Sequence, residues 1–328
     1  MLVPPNNLNP KQEGSNVSVL ICGSMAYDNI MVFPGRFKEH ILADQLHILN
    51  VAFLVPEMRK EFGGCAGNIA YNLRQLGEQP NIMATVGEDF PVYADQLREY
   101  GLDQRFISTI SGTLTAQAYI TTDLDDNQIT AFHPGAMDYS HQSEVPTDAG
   151  ITIGMVSPDG RQGMIDHAQQ FADAGIPFIF DPGQGLPMFE GDDLKRFIDQ
   201  ATWVAVNDYE GQLLQERTGW SHEEIAGHVD ALIVTRGGSG SSIYADGSEH
   251  KIPAVEASEI LDPTGCGDAY RAGLVFGISR GLSWEDAGRL ASLIGARKIA
   301  HRGTQNHQMN LEDLKQEFAA AFDYALPL

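Results

Sequence analysis

Residues 261–273 read LDPTGCGDAYRAG, and this stretch predicts a glycine turn that opens onto a helix. Small residues at Gly265, Cys266 and Gly267 let an anion approach three consecutive backbone amides, and the N-terminus of a helix adds a partial positive charge. Asp268 would then lie beside an anion site. A carboxylate in that position suits a general base that takes a proton from a hydroxyl while a phosphoryl group is transferred to it.

The same stretch has an equally good structural interpretation, in which Asp268 is an ordinary N-cap of the helix. Two other phosphate-binding motifs do not match. A dinucleotide-binding fingerprint would need a glycine at Tyr270, and a P-loop would need the dipeptide Gly-Lys, which the sequence lacks. The pattern therefore leaves two interpretations open, a helix cap and a phosphoryl-transfer site.

The composition is that of a globular, strongly acidic protein. The chain has 328 residues, of which 43% are hydrophobic and 20% charged, and its formal net charge is −23. Length alone suggests about two domains. A nucleic-acid partner is disfavoured, because neutralising its phosphates requires clustered Lys and Arg. For the same reason, a nucleotide bound here would need backbone amides and a divalent cation around its phosphates.

Cysteine usage and hydropathy predict a cytoplasmic protein. Cys22, Cys65 and Cys266 are odd in number and show no C-x-x-C spacing, which is typical of a reducing compartment. The first sixteen residues are polar and contain proline, without the apolar run of a signal peptide. No apolar run reaches the length of a membrane span, so no membrane partner is expected.

Short apolar strands alternate with helices through most of the chain. This alternation predicts an α/β fold with a doubly wound, mostly parallel sheet flanked by helices. The predicted strands are 17–22, 81–86, 151–156, 176–180, 201–206 and 231–235, and a hairpin follows at 242–252. The predicted helices are one from Ala66 to a C-cap at Gly77, and then 91–100, 161–174, 192–199, 208–218, 268–280, 284–300 and 311–324.

Two segments depart from this alternation and predict a second, smaller sheet. Residues 46–51 alternate without a purely polar face, which favours a strand with one face on a ligand. Residues 115–122 and 128–132 also alternate and are joined by an acidic turn, which is typical of a hairpin. That turn is not a calcium loop, because Gln128 and Pro134 replace the glycine and the glutamate that such a loop requires.

Polar residues follow several predicted strands, where the ligands of open α/β sheets bind. Asp28 follows the first strand, and Asn207 with Glu210 follows the strand at 201–206. Each has a structural alternative, since Asp28 can cap a turn and Asn207 with Glu210 can form a capping box. Asn68 lies off the apolar stripe of its helix, as an ordinary surface asparagine would.

Together with the glycine turn, these positions resemble the signatures of the ribokinase-like (PfkB) carbohydrate and nucleoside kinases. The C-terminal signature of that family, D-T/P-x-G-A/C-G-D, is matched by residues 262–268, and its N-terminal signature, G-G-x-x-x-N-x-A, by residues 63–70. N-x-x-E at 207–210 and T-x-G-x-x-G at 235–240 follow in the family order. The resemblance spans nearly the whole chain, from residue 17 to residue 308.

The resemblance implies a role for each matched residue. Asp268 corresponds to the catalytic base of the family, and the amides of Gly265, Cys266 and Gly267 to its anion hole. The positions that contact the acceptor sugar are Asp28, Gly63, Gly64 and Asn68. The positions of the ATP site are Asn207, Thr235, Gly237 and Gly240, and Asn207 with Glu210 would organise Mg²⁺ through water. Asp262 corresponds to a ligand of the K⁺ ion that the family often binds beside the anion hole, and a cap on the turn explains Asp262 equally well.

The family fold further implies a division into two domains. The core domain would consist of residues 1–29, 63–112 and 137–328, and a β-sheet lid of residues 30–62 and 113–136. A lid with exposed strand edges would allow a homodimer.

Within the family, the chain looks most like prokaryotic adenosine or nucleoside kinases. The resemblance therefore implies ATP-dependent phosphorylation of a nucleoside 5′-hydroxyl, with adenosine as the first candidate. After Asp181 and Pro182 the sequence lacks the Asn and Arg that many ribokinases and fructokinases carry, which disfavours a plain sugar but leaves a sugar kinase as the alternative. A non-catalytic nucleoside-binding protein on the same scaffold is a third class.

Overall fold

The computed structural model describes residues 17–41, 50–125 and 127–328, which form two sheets with helices around the larger one. In chain order the strands are β1 (Val19–Cys22), β2 (Ala26–Val32), β3 (Glu57–Gly63), β4 (Asn81–Val86), β5 (Asp103–Thr109), β6 (Ala116–Thr122), β7 (Gln128–His133), β8 (Ile153–Val156), β9 (Phe178–Phe180), β10 (Trp203–Asn207), β11 (Ala231–Thr235), β12 (Ser241–Ala245) and β13 (Ser248–Ile252). The helices are α1 (Phe37–His40), α2 (Cys65–Gln75), α3 (Pro91–Glu99), α4 (Arg161–Ala174), α5 (Gly191–Gln200), α6 (Asp208–Thr218), α7 (His222–Ala226), α8 (Cys266–Ser279), α9 (Trp284–Ile299) and α10 (Leu311–Phe322). In the described ranges, no helix combines the length and the apolar character needed to cross a bilayer.

The larger sheet has the strand order β13-β12-β11-β10-β9-β8-β1-β4-β5. β12 pairs antiparallel with β11 and β13, and the other neighbouring strands are parallel. Alternate residues of β1 pack into two different hydrophobic cores, so this strand is buried on both faces. Leu20 and Cys22 face the core that contains residues of α4 and α5, while Val19 and Ile21 face the core that contains residues of α2 and α8. The predicted doubly wound, mostly parallel sheet is confirmed.

The smaller sheet has the strand order β3-β2-β6-β7 and includes the predicted hairpin, β6 with β7. Its first strand begins at Ala26, earlier than the predicted boundary at residue 30. Asp28 therefore lies inside β2, opposite Glu61 of β3 and Ala118 of β6, and the interpretation of Asp28 as a turn cap is wrong. The strand predicted at 46–51 falls mostly on residues 42–49, which lie outside the described ranges.

The two sheets differ in how well one of their edge strands follows the sequence pattern. β5 was not predicted, because it lies at the edge of the larger sheet and its side chains do not alternate cleanly between buried and exposed. β7 is an edge strand of the smaller sheet, and all its residues are exposed. A homodimer through this edge stays a prediction.

The fold brings the polar ends of several elements to one edge of the larger sheet. Asn207 and Thr235 are paired where the parallel strands β10 and β11 end. The first turns of α2 and α8 meet there as well, since Asn68 of α2 hydrogen bonds to Asp268 of α8. Arg271, one turn further along α8, reaches Asp181, which follows β9. This is the carboxyl edge of the sheet, where ligands of open α/β folds bind.

Asp159, which follows β8, is a buried carboxyl whose ionisation can be tested. Its side chain is 2% exposed, one oxygen accepts the N–H of Gly160 at 2.9 Å, and the other has no partner among the described residues. Burial raises the pKa of Asp159 from 3.8 to about 8. Between these two values the folded protein keeps the proton that the unfolded chain loses, so the free energy of unfolding falls as the pH rises through this window.

We expect Asp159→Asn to remove this pH dependence, because the amide cannot ionise in either state. Relative to the wild type, the variant should gain on the order of 2–4 kcal/mol of stability as the pH rises from about 5 to about 8. Urea unfolding across that range measures the gain, with Asp148→Asn at an exposed position as the matched control. A variant as pH-dependent as the wild type would contradict a buried, protonated Asp159.

Candidate active site

The first turn of α8 presents free backbone amides. Gly265 has a φ of +79°, in the left-handed region that favours glycine, and helix α8 starts at the next residue. The N–H of Cys266 donates to the Pro263 carbonyl at 3.1 Å and closes the turn. The prediction that Cys266 offers a free amide is therefore corrected. The amides of Gly265, Gly267 and Asp268 have no acceptor among the described residues. These three N–H groups are available to an anion.

Asp268 lies at this helix start and is partly exposed. Its Oδ2 accepts a hydrogen bond of 2.8 Å from Nδ2 of Asn68, and in the described part of the chain it makes no ion pair. Removal from water raises the pKa of the Asp268 carboxyl to about 7, against the opposing effect of the Asn68 hydrogen bond. A carboxylate whose pKa lies near neutrality can accept a proton and release it again, as a general base must.

Asn68 is buried, with 4% of its surface exposed, so the alternative interpretation as an ordinary surface asparagine is wrong. Its Oδ1 accepts Nε2 of Gln305 at 3.0 Å, so its amide nitrogen is turned toward Asp268. Gln305 also donates to the hydroxyl of Tyr93 at 2.6 Å, and that hydroxyl donates to the Gly63 carbonyl at 2.9 Å. In this series of hydrogen bonds each donor faces an acceptor, so the orientation of the Asn68 amide is fixed.

Gln305 and Tyr93 were not predicted as site residues. Neither belongs to a signature, and they are separated from Asn68 by long stretches of sequence. The sequence held no local signal for either residue, since Gln305 lies in the loop that follows α9 and comes close to Asn68 and Tyr93 only in the folded chain.

Asp28 and the glycine pair form the neighbouring part of the site. A Cβ on Gly63 would lie 2.5 Å from Oδ2 of Asp28, and Gly64 has a φ of +88° with the Ser24 carbonyl oxygen 2.5 Å from the position of its absent Cβ. Both glycines are therefore required by the close approach of β2 to β3 and α2. Burial, together with the negative charges of Asp262 and Glu61, raises the pKa of Asp28 to about 6.

Asp262 ties two loops together through its carboxylate. Oδ1 accepts the N–H of Thr264 and Oδ2 accepts the N–H of Gly303, both at 2.9 Å, while Arg59 lies 3.5 Å from Oδ2. Burial opposes ionisation, but these amide donors hold the pKa of Asp262 below its ordinary value. The interpretation of Asp262 as a cap on the turn therefore agrees with the structure.

Asn207 and Glu210 form the expected capping box at the start of α6. Oδ1 of Asn207 accepts the N–H of Glu210, and Oε2 of Glu210 accepts the N–H of Asn207, both at 2.8 Å. Thr235 lies beside Asn207, and the segment that follows it turns through Gly237 and Gly240, whose φ values are +50° and +83°. This places the predicted ATP-site residues side by side at the ends of β10 and β11.

Arg271 connects the two halves of the site and was not predicted. Its side chain is buried, donates to Oδ1 of Asp181 at 2.9 Å, and lies 3.8 Å from Oε2 of Glu210. Burial raises the pKa of Glu210, while the nearby Arg271 charge opposes the rise. Arg271 thus joins α8, which carries Asp268, to the start of α6.

The Asn68 hydrogen bond predicts a measurable change in the titration of Asp268. Because its N–H donor stabilises the ionised form, Asn68→Leu should raise the pKa of Asp268 by about one unit. Carboxyl ¹³C NMR titration measures this shift, with Asp268→Asn to assign the resonance and Gln212→Leu, at an exposed position on α6, as the control. An unchanged pKa in Asn68→Leu would contradict the hydrogen bond.

Known proteins resemble this chain over most of its length. A model of the pfkB family of carbohydrate kinases matches residues 25–310. The nucleoside kinase of Methanothermobacter thermautotrophicus is 29% identical over 306 residues, which cover 92% of this chain and 98% of that protein. The structure of Burkholderia thailandensis nucleoside kinase in complex with inosine is 52% identical, with a TM-score of 0.87, and the match covers 94% of this chain and 99% of that one. The ADP-inosine complex of the same enzyme is 54% identical, with a TM-score of 0.85, and the match covers 94% and 97% of the two chains.

With both glycine signatures at one edge of the sheet and a match of this extent, the chain belongs to the pfkB family of carbohydrate kinases.

Proposed function

We propose that this protein is an ATP- and Mg²⁺-dependent nucleoside kinase that phosphorylates the 5′-hydroxyl of a purine nucleoside, with adenosine as the predicted acceptor. The observation that carries the proposal is the hydrogen bond between Asn68 and Asp268. It joins the segment expected to bind the ribose to the base expected to activate its hydroxyl. The inosine complex of the similar Burkholderia thailandensis enzyme makes inosine the second acceptor to test.

In the proposed reaction, Asp268 takes the proton of the 5′-hydroxyl. The hydroxyl oxygen forms a bond to the γ-phosphorus of ATP, the bond between that phosphorus and the bridging oxygen breaks, and ADP leaves with the electron pair. The N–H groups of Gly265 and Gly267, with that of Asp268 itself, would stabilise the charge on the transferring group. A pKa of about 7 for Asp268 keeps a large fraction of this base ionised at neutral pH.

The acceptor ribose would lie between Asp28 and Asn68. The carboxylate of Asp28 has no hydrogen bond to another described residue, so it is free to accept the hydroxyls of a sugar. A nucleoside kinase needs such a pair of contacts, one for the ribose hydroxyls and one near the reacting oxygen.

The residues at the start of α6 fit a Mg²⁺ ion that is held mainly by phosphate and water. Among the described residues, no three His, Cys, Asp or Glu side chains are grouped to hold a metal by themselves. One oxygen of Asn207 and one of Glu210 are engaged in the capping box, which leaves Oε1 of Glu210 for a water bound to the ion. When bound, Mg²⁺ would offset the negative charge of the phosphates.

The smaller sheet would act as a lid in this proposal. β2 contributes Asp28 to the site, so a movement of the sheet would bring the acceptor contacts toward Asp268 and exclude water. The proposal also includes three further predictions: a division into a core and a lid, a cytoplasmic location, and a homodimer that forms through the lid.

Asp268→Asn should lower kcat by about 10²–10⁴-fold and leave nucleoside affinity nearly unchanged, because the amide cannot accept the proton. A coupled assay that detects ADP measures kcat, and calorimetry measures nucleoside binding. Asp148→Asn is the control at an exposed position. Turnover within a few-fold of the wild type would remove Asp268 from the role of base.

A substrate panel tests the identity of the acceptor. The expected result is that adenosine gives the highest kcat/KM, followed by inosine, with ribose and fructose at least about 100-fold lower, because a free sugar lacks the base. Phosphorus NMR of the product identifies the 5′-phosphate. A preference for ribose or fructose would replace the proposal by a sugar kinase, and ATP binding without turnover on any acceptor would favour a non-catalytic protein.

A further inference from the structure

Lys298 is a fully buried lysine behind the turn that carries the free amides. It lies in the last turn of α9, and its side chain is 0% exposed. Its ammonium donates to the carbonyl oxygen of Asp262 at 2.8 Å and to that of His301 at 3.1 Å. No carboxylate in the described part of the chain lies within ion-pair distance of it. A buried cation held by main-chain carbonyl oxygens is the arrangement in which proteins bind small monovalent ions.

Burial of this ammonium is costly, and an apolar side chain could fill the same space at a lower cost. Burial lowers the pKa of Lys298, while the charges of Asp262 and Asp268 favour its protonated form. The C-terminal end of α9 adds a favourable dipole. Packing alone therefore does not account for a charged side chain at this position.

The two carbonyls that Lys298 binds belong to Asp262 and His301, and each of these residues begins a loop of the site. Asp262 begins the turn that presents the amides of Gly265 and Gly267, and the N–H of Asp262 is held by the Ile299 carbonyl at 3.2 Å. The loop that starts at His301 carries Gln305, which orients Asn68 and through it Asp268.

The carboxylate of Asp262 forms a second connection between these two loops. Its oxygens accept the N–H groups of Thr264 and Gly303, one in each loop. The ammonium of Lys298 and the carboxylate of Asp262 thus fix the anion-binding turn and the loop that orients the base as one unit.

The K⁺ ion implied by the family resemblance does not fit this arrangement. Both carboxylate oxygens of Asp262 accept backbone amides, and its carbonyl oxygen accepts the ammonium of Lys298. A K⁺ ion beside Asp262 would have to share these oxygens with a buried positive charge.

We propose that the ammonium of Lys298 takes the place of a monovalent cation, as a positioning residue for the anion-binding turn, and makes the reaction independent of K⁺. This inference rests on the proposed function for its kinetic consequence only. The binding of a cation to a vacated Lys298 position can be measured without turnover.

The test compares Lys298→Ala with Lys298→Met, since alanine leaves a cavity lined by two carbonyls and methionine fills it. In sodium-free and potassium-free buffer of constant ionic strength, kcat of both variants should fall about 10–100-fold. Addition of K⁺ or NH₄⁺ should restore kcat of Lys298→Ala to within about threefold of the wild type, but not that of Lys298→Met. The wild type should not respond to K⁺, and Lys251→Ala, at an exposed lysine, should behave like the wild type.

Thermal unfolding supplies a readout that does not depend on activity. K⁺ or NH₄⁺ should raise the Tm of Lys298→Ala in a saturable manner and leave the Tm of the wild type and of Lys298→Met unchanged. Activation of the wild type by K⁺ would overturn the inference, as would a folded Lys298→Ala that responds to neither cation in kcat or in Tm. If Lys298→Ala does not fold without a cation, refolding in K⁺ but not in tetramethylammonium supports the inference, and failure in both overturns it. A wild type without kinase activity would refute the proposed function, while the Tm series would still decide the role of Lys298.

Discussion

The hydrogen bond between Nδ2 of Asn68 and Oδ2 of Asp268 is the contact on which the site depends. It crosses from α2 to α8 and joins two glycine turns that are about 200 residues apart in the chain. A hydrogen bond to a charged group contributes roughly 1.5–3 kcal/mol, and here Asn68 is buried while Asp268 is partly exposed. Gln305 and Tyr93 complete the connection as far as the Gly63 carbonyl, so hydrogen bonds couple the Asp268 carboxylate to the glycine pair.

Three positive charges near the site are committed to the protein itself. Arg271 binds Asp181, Arg59 lies beside Asp262 and Glu61, and Lys298 binds two carbonyls. These cations set the positions of loops and helices and leave no unpaired ammonium or guanidinium among them for a phosphate. In a chain with a net charge of −23, the proposed kinase site would therefore hold the phosphates of a nucleotide mainly through backbone amides and a divalent cation. The free N–H groups at the start of α8 meet that requirement.

The core of the fold could be predicted from the sequence because buried parallel strands are continuous apolar runs. The glycine turns could be predicted because backbone positions with a positive φ favour glycine. Local patterns taken alone were misleading where a contact outside the pattern decides the outcome. Asn68 looked like a surface residue because its partners, Gln305 and Asp268, lie elsewhere in the sequence. Asp28 looked like a turn residue because the pairing of β2 with β6 is invisible to a local pattern. The amide of Cys266 looked free because the turn geometry that engages it depends on backbone angles rather than on composition.

The protonation of Asp268 follows from two opposing effects. Removal from water favours the neutral carboxyl, and the Asn68 amide favours the carboxylate, which together place its pKa near 7. An anion bound at the neighbouring amides would add a like charge, and the proton affinity of Asp268 would rise as the phosphoryl group approaches. The base would therefore become stronger at the stage where the hydroxyl must lose its proton. Without the Asn68 donor, burial would keep the carboxyl protonated, so the proposed role of Asp268 as a base requires the contact between the two helices as well as the carboxylate.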